Sequence, residues 1–175
     1  MKKILIALLG VVVLLVLAAA LMPKDFKIER EIVINKSQVE VFDYLKMMKN
    51  EHEWSPWAKK DPNMKQEIKG RDGTVGGIHA WSGNKEVGVG EAEIMALTPN
   101  TRIDLELRFS EPMKATHKAY YLTEEVTLNE TKVVWGMTGR TAFPFNLVCF
   151  FMQKKVAHEF EEGLKNLKVV LEEKK

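Results

Sequence analysis

The groups in this 175-residue chain best suited to move a proton are two of its histidines. His79 shares a strand-like parity with Trp81 in the stretch Ile78–Ser82, and His117 shares one with Ala115, Ala119 and Tyr121. Glu91 and Glu93 stand on a common parity with Val87 and Val89. An imidazole and a carboxylate converging inside an apolar space could act as an acid/base pair, because loss of water shifts both pKa values. A plainer reading competes with this one. Carboxylates seldom stay buried without a partner, so Glu91 and Glu93 fit an outward, solvated face, and a histidine can serve as a single satisfied polar group in a core.

Other motifs stop short of chemistry. His158-Glu159 begins like the zinc-protease pattern HExxH, but Glu162 stands where the second histidine is required. Gly88-x-Gly90 begins like a dinucleotide loop, yet Glu93 replaces the third glycine and the context is a strand; such glycines suit a sharp bend in a sheet. The single cysteine, Cys149, excludes an intrachain disulfide framework and a cysteine metal cluster, and is expected to be a buried apolar residue. Asn35-Lys36-Ser37 and Asn129-Glu130-Thr131 fit the glycosylation sequon, which matters only in a suitable host. The sequence therefore assigns no catalytic residue, metal ligand or cofactor. The net charge is +2, supplied by Lys2 and Lys3, so the remainder is balanced and lacks the basic footprint of a nucleic-acid binder.

Apolar side chains are the richer signal. Trp54 and Trp57 lie in "EHEWSPWAKKDP", among charges and prolines. Val133, Trp135 and Met137 fall on one face of a strand-like stretch. Phe143, Phe145, Phe150 and Phe151 crowd the start of a final helix in greater number than one helical face needs, so some could touch membrane or ligand. Met47, Met48, Met95, Met113, Met137 and Met152 add adaptable surface, suited to a loose core or an irregular ligand.

These residues must be positioned by the elements around them. Ile4–Met22 is an unbroken apolar run long enough to span a bilayer, which takes about 20 helical residues. A secretory signal is the rival reading, with Ala18-Ala19-Ala20 as its cleavage region. Its apolar core is normally about 7–15 residues, and here the run passes straight through the alanines to Met22. Length favours an uncleaved single-pass anchor over residues 1–23 and one domain over 24–175. Lys2 and Lys3 direct the domain to the outer, periplasmic or extracellular, side, while Lys24, Lys27 and Arg30 pull the other way. Pro23 ends the helix, and strand alternation begins by Phe26, which holds the domain close to the bilayer.

Beyond the anchor the pattern is one strand (Phe26–Ile34), a helix opened by the capping box Ser37-x-x-Glu40, the tryptophan segment, and about six further strands. Thr101–Phe109 is the clearest, with Ile103, Leu105, Leu107 and Phe109 alternating with charges. Pro144 is expected to open a long helix with Val156, Phe160, Gly163, Leu164, Leu167, Val170 and Leu171 as its apolar stripe. Strands joined by hairpins with helices segregated give an α+β fold: a curved antiparallel sheet of six or seven strands around one long C-terminal helix.

That order resembles the START-like, plant-allergen-like helix-grip superfamily (SRPBCC proteins), and within it the polyketide cyclase/dehydrase and lipid-transport family. The residues that carry the resemblance are "VFDYL" (Val41–Leu45), "WSPW" (Trp54–Trp57), "GGIHAWSGN" (Gly76–Asn84), "VGVGEAEI" (Val87–Ile94), "TKVVWGMTG" (Thr131–Gly139) and "HEFEEGLKNLK" (His158–Lys168). The resemblance implies a central cavity for a hydrophobic small molecule or lipid; the family shares no catalytic motif, so it implies no particular reaction. "WSPW" would then be an aromatic flap stiffened by Pro56, or simply a cap on the core. The cavity candidates are Trp54, Trp57, His79, Trp81 and His117, together with Tyr121, Trp135, Met137 and Phe160.

Three functions follow as expectations. The first is membrane-anchored binding of an apolar ligand. The second is an enzyme of cyclase, dehydratase or hydrolase type using His79 or His117 with a carboxylate. The third is an interaction or stress-response domain without ligand. Apolar cavity walls favour the first, a buried His–Glu pair the second, and a cavity filled with side chains the third.

Overall fold

In a computed structural model that describes residues 2–173, the apolar run forms one helix, α1 (Lys2–Leu21), whose side chains are almost all exposed. It is long and apolar enough to cross a membrane. Met1, Lys174 and Lys175, at the outer ends of the two expected spans, lie outside the described residues. Met22, Pro23 and Lys24 alone separate α1 from strand β1 (Asp25–Ile34).

Ser37 then caps α2 (Gln38–Lys46) through the expected box. Its side chain accepts from the Glu40 amide, and the Glu40 carboxylate accepts from the Ser37 amide. The tryptophan segment is two short helices, α3 (Glu51–Trp54) and α4 (Pro56–Lys60), with Pro56 at the start of the second. Strands β2 (Lys65–Lys69), β3 (Ile78–Ser82), β4 (Val89–Thr98), β5 (Arg102–Glu111), β6 (Ala115–Thr127) and β7 (Glu130–Arg140) follow. The last helix, α5 (Asn146–Glu173), begins two residues after Pro144 rather than at it.

All neighbouring strands run antiparallel in one seven-stranded sheet ordered β1-β7-β6-β5-β4-β3-β2. The first strand thus closes against the last. Alternation decides the faces. Ile103 and Leu105 of β5 are buried inward, while Arg108 on the outer face meets Glu91, Glu93 and Glu106 at 2.7–2.8 Å. A register shift between Val89 and Gly90 bends β4, with Gly88 at φ 76° just before it.

α5 lies along the inner face beside β1. Ala157, Phe160, Gly163, Leu164, Leu167 and Leu171 are its buried stripe. Polar contacts fix both of its ends. Near its C-terminus, Glu172 accepts from the Asn35 amide at 2.7 Å and Lys168 donates to the Val33 carbonyl at 2.8 Å. At its N-terminus, Asn146 donates to the carbonyls of Ala19 (2.6 Å) and Met22 (3.1 Å), tying α5 to the end of α1. The far end of the sheet is closed by α2, whose Gln38 donates to the Thr123 carbonyl at 2.8 Å.

Candidate functional site

Pairing of strands brings all nine cavity candidates to the inner face or the helices that cover it. They separate there into a packed block and a more open row.

The block holds Trp54, Tyr121, Trp135, Met137 and Phe160, all at most 9% exposed, with Trp57 partly buried at its margin. Trp135 stacks on Phe160, and Trp54 meets Trp135 edge-on at 5.1 Å and Tyr121 at 6.0 Å. Trp57 reaches Trp135 at 5.7 Å and Phe160 at 6.3 Å. Edge-to-face and stacked rings add to the free energy of burial. Trp54, Tyr121, Trp135 and Phe160 pack ring against ring between the sheet and α5 in this region. The flap is likewise tied down. Asn166 donates to the Trp54 carbonyl at 3.1 Å and accepts from Lys59 at 2.9 Å, and Lys60 pairs with the buried Glu159. Glu159, met in the sequence as part of a failed zinc motif, is thus an interhelical ion-pair partner.

The row lies at the end of the sheet next to α1. Phe26 (β1), His117 (β6), Phe109 (β5) and Trp81 (β3) follow one another at ring separations of 5.1, 6.0 and 5.8 Å, and His79 adjoins Trp81 at 6.1 Å. The row crosses six strands because the two intervening ones contribute glycine there. A Cβ on Gly139 of β7 would stand 2.8 Å from Phe26, and one on Gly90 of β4 would stand 2.7 Å from Trp81. Phe26, Trp81, Phe109 and His117 all remain partly exposed, unlike the block. His117 is the row's one polar ring. Its Nδ1 is buried with no hydrogen-bond partner among the described residues, and burial holds its pKa below the ordinary histidine value.

His79 marks the junction of row and block. It is 4% exposed, with Nδ1 3.3 Å from a Glu51 carboxylate oxygen and Nε2 2.9 Å from the Gln66 side-chain oxygen. Burial pulls its pKa down, but the hydrogen bond and charge of Glu51, with a smaller contribution from Asp72, outweigh it, and the net shift is upward. The charged ring can donate to both acceptors. Tyr121, fully enclosed, is pushed well above its ordinary pKa by burial and then by Glu51. A His–Glu pair therefore exists, with His79 buried and its carboxylate partner Glu51 partly exposed. Glu91 and Glu93 are on the opposite face with Arg108.

Sequence reading missed Glu51, Gln66, Phe26 and Phe109 as site residues. Phe26 and Phe109 carried a signal, each being the apolar end of an alternating strand. Glu51 carried none, since its approach to His79 spans 28 positions. Cys149, expected to be buried, is partly exposed. Among the described residues no group of three or more His, Cys, Asp or Glu side chains is gathered as a metal site.

No family model matches the chain, and no curated protein matches it either. Solved structures do. StfQ, a di-domain ARO/CYC protein of the steffimycin biosynthetic pathway, superposes with TM-score 0.63 at 12% identity, over 85% of this chain and 51% of that one. CalU16 from Micromonospora echinospora gives 0.57 at 15%, over 84% and 76%. The Aha1 dimer from Colwellia psychrerythraea gives 0.58 at 18%, over 86% and 98%. Identities this low show shared architecture alone. The fold is the helix-grip fold. Within it, the curved sheet and α5 of this chain grip an aromatic block at the centre and leave the ring row at the α1 end.

Proposed function

We propose that this chain is a membrane-tethered helix-grip domain that binds an apolar small molecule or lipid acyl group against the ring row. The observation that carries the reading is the contrast between the two aromatic groups. The central rings are satisfied by one another, whereas Phe26, Trp81, Phe109 and His117 remain partly exposed in a row that starts at Phe26, five residues beyond the end of α1. Apolar surface of that kind gains free energy when a ligand removes it from water, at roughly 25 cal/mol per Å2. His117 supplies the single polar group that would orient the ligand. StfQ, with which this chain shares its fold, is an ARO/CYC protein of a biosynthetic pathway, and that supports a small molecule as the class.

A second reading, acid/base catalysis, is favoured by the His79–Glu51 pair. It is weaker because both nitrogens of His79 already face acceptors. A general base needs a nitrogen free to reach its proton.

Photolabelling of the membrane-embedded full chain with a photoreactive fatty acid tests the proposal. Labelled peptides carrying Phe26, Trp81, Phe109 or His117 are the expected result. Label confined to α1 and the phenylalanine-rich turn would reduce the interaction to bilayer contact and favour an interaction domain without ligand.

A further inference from the structure

α5 changes character along its length. From Val156 onward one stripe is buried, as expected of a helix gripped by a sheet. Before Gln153 the pattern is lost. Phe145, just ahead of the helix, and Val148, Phe150, Phe151 and Met152 within it are 44–68% exposed, and Phe143 is 44% exposed. At 3.6 residues per turn, positions 148, 150, 151 and 152 cover more than half of the helix circumference, so no single docking face explains them. Packing against the sheet leaves these side chains outward.

We infer that residues 143–152 form a second membrane contact, an interfacial segment seated in the same leaflet boundary at which α1 emerges. This rests on the reading of α1 as a bilayer helix. Three observations select lipid as the occupant. First, the segment is continuous with α1: Asn146 is 2% exposed and donates to the carbonyls of Ala19 and Met22, which fixes the start of α5 at the level of α1's last turn. Second, exposed lysines bracket the apolar group, Lys24 beyond α1 and Lys154 and Lys155 two and three residues past Met152. Cations at that level match anionic headgroups, while Phe, Val and Met enter the acyl boundary. Third, the apolar side chains point in several directions, which a fluid solvent accommodates and a flat protein partner does not.

The test uses the full chain carrying Cys149→Ala, with a single cysteine introduced by Phe151→Cys, Leu9→Cys or Lys165→Cys and labelled with an environment-sensitive fluorophore. The chain is reconstituted into phosphatidylcholine–phosphatidylglycerol vesicles that contain or lack spin-labelled lipid. The expected result is blue-shifted emission at position 151, largely quenched by headgroup-proximal spin label. Position 9 should be quenched by deep label, and position 165 should stay water-like. Quenching at 9 with water-like emission at 151 overturns the second contact and leaves the anchor standing. Blue-shifted but unquenched emission at 151 places a protein surface, such as a second copy, on the segment and equally overturns it. Water-like emission at both 9 and 151 removes the anchor reading and this inference together.

Discussion

The Trp135 indole lies flat on the Phe160 ring, with centroids 4.0 Å apart and planes 4° from parallel. One ring comes from the strand that pairs with β1 and the other from α5, so this contact is where the sheet grips the helix. Gly163, one turn on, lets the indole reach the helix backbone: an added Cβ would stand 2.7 Å from Trp135 Cζ3 and 3.1 Å from Pro56 Cδ.

Removing the grip should be costly. In the domain from Lys24 onward, Phe160→Ala should destabilise by about 3–5 kcal/mol and Leu167→Ala by about 2–5 kcal/mol. Lys165→Ala, which loses only an exposed pair with Glu161, should stay within about 0.5 kcal/mol. Urea unfolding measures all three, and equal losses would mean that the helix is not held by this stripe.

Gly163→Ala should reverse the usual sign. In an exposed helix the change stabilises by about 1 kcal/mol. Here the methyl meets Trp135 and Pro56, so a loss of about 1–3 kcal/mol is expected from overpacking. Unfolding curves that show a gain would place the indole elsewhere.

The His79 pair carries a pH dependence with a definite direction. Its pKa is raised, so the folded protein holds the proton more tightly than the unfolded chain. The stabilisation is complete below the unfolded pKa of about 6.5, and is lost as pH rises from there through the folded pKa. Glu51→Gln removes the charge and leaves the burial, so an NMR titration of the imidazole should then give a value below the ordinary one. A His79 pKa unmoved by that substitution would detach Glu51 from the shift.

The two tryptophans of the sheet should separate binding from folding. An apolar fluorescent probe is expected to bind the domain with Kd of about 1 μM, near 8 kcal/mol. Trp81→Ala, in the partly exposed row, should weaken that binding more than it lowers stability, whereas Trp135→Ala, 4% exposed in the block, should impair both. Saturable binding unchanged in both variants would move the site to the exposed phenylalanines.

The full chain is expected to stay with membranes through high-salt and carbonate washes, retaining its N-terminal residues. The core cluster runs from Ile28 to Leu171, so the domain starting at Lys24 should fold and remain soluble. Mature protein whose N-terminal sequence begins at Leu21 would identify α1 as a cleaved signal.

Local signals were readable in the residues themselves. Alternation in Ile103, Leu105, Leu107 and Phe109 set β5 and its faces, and Ser37 with Glu40 set the start of α2. The site was less legible because it depends on which strands become neighbours. β1 pairs with β7, and only then does Phe26 lean across Gly139 onto His117. The contact of Asn146 with Ala19 joins residues 127 positions apart. Nor does periodicity report volume: the family resemblance grouped Trp54, Trp135 and Phe160 as cavity candidates, but their close packing follows from ring shape and helix placement.

The link of Met22, Pro23 and Lys24 between α1 and β1 sets a limit on how a bilayer-held domain could travel. Three residues reach about 10 Å when fully extended, and Asn146 shortens the leash further by clasping the end of α1. A domain on so short a tether cannot ferry cargo across an aqueous gap to another membrane. If α1 spans the bilayer as proposed, the domain would work at a fixed height, moving laterally with its own lipids, and a bound ligand would be collected from, and handed back to, that same surface or a partner that comes to it.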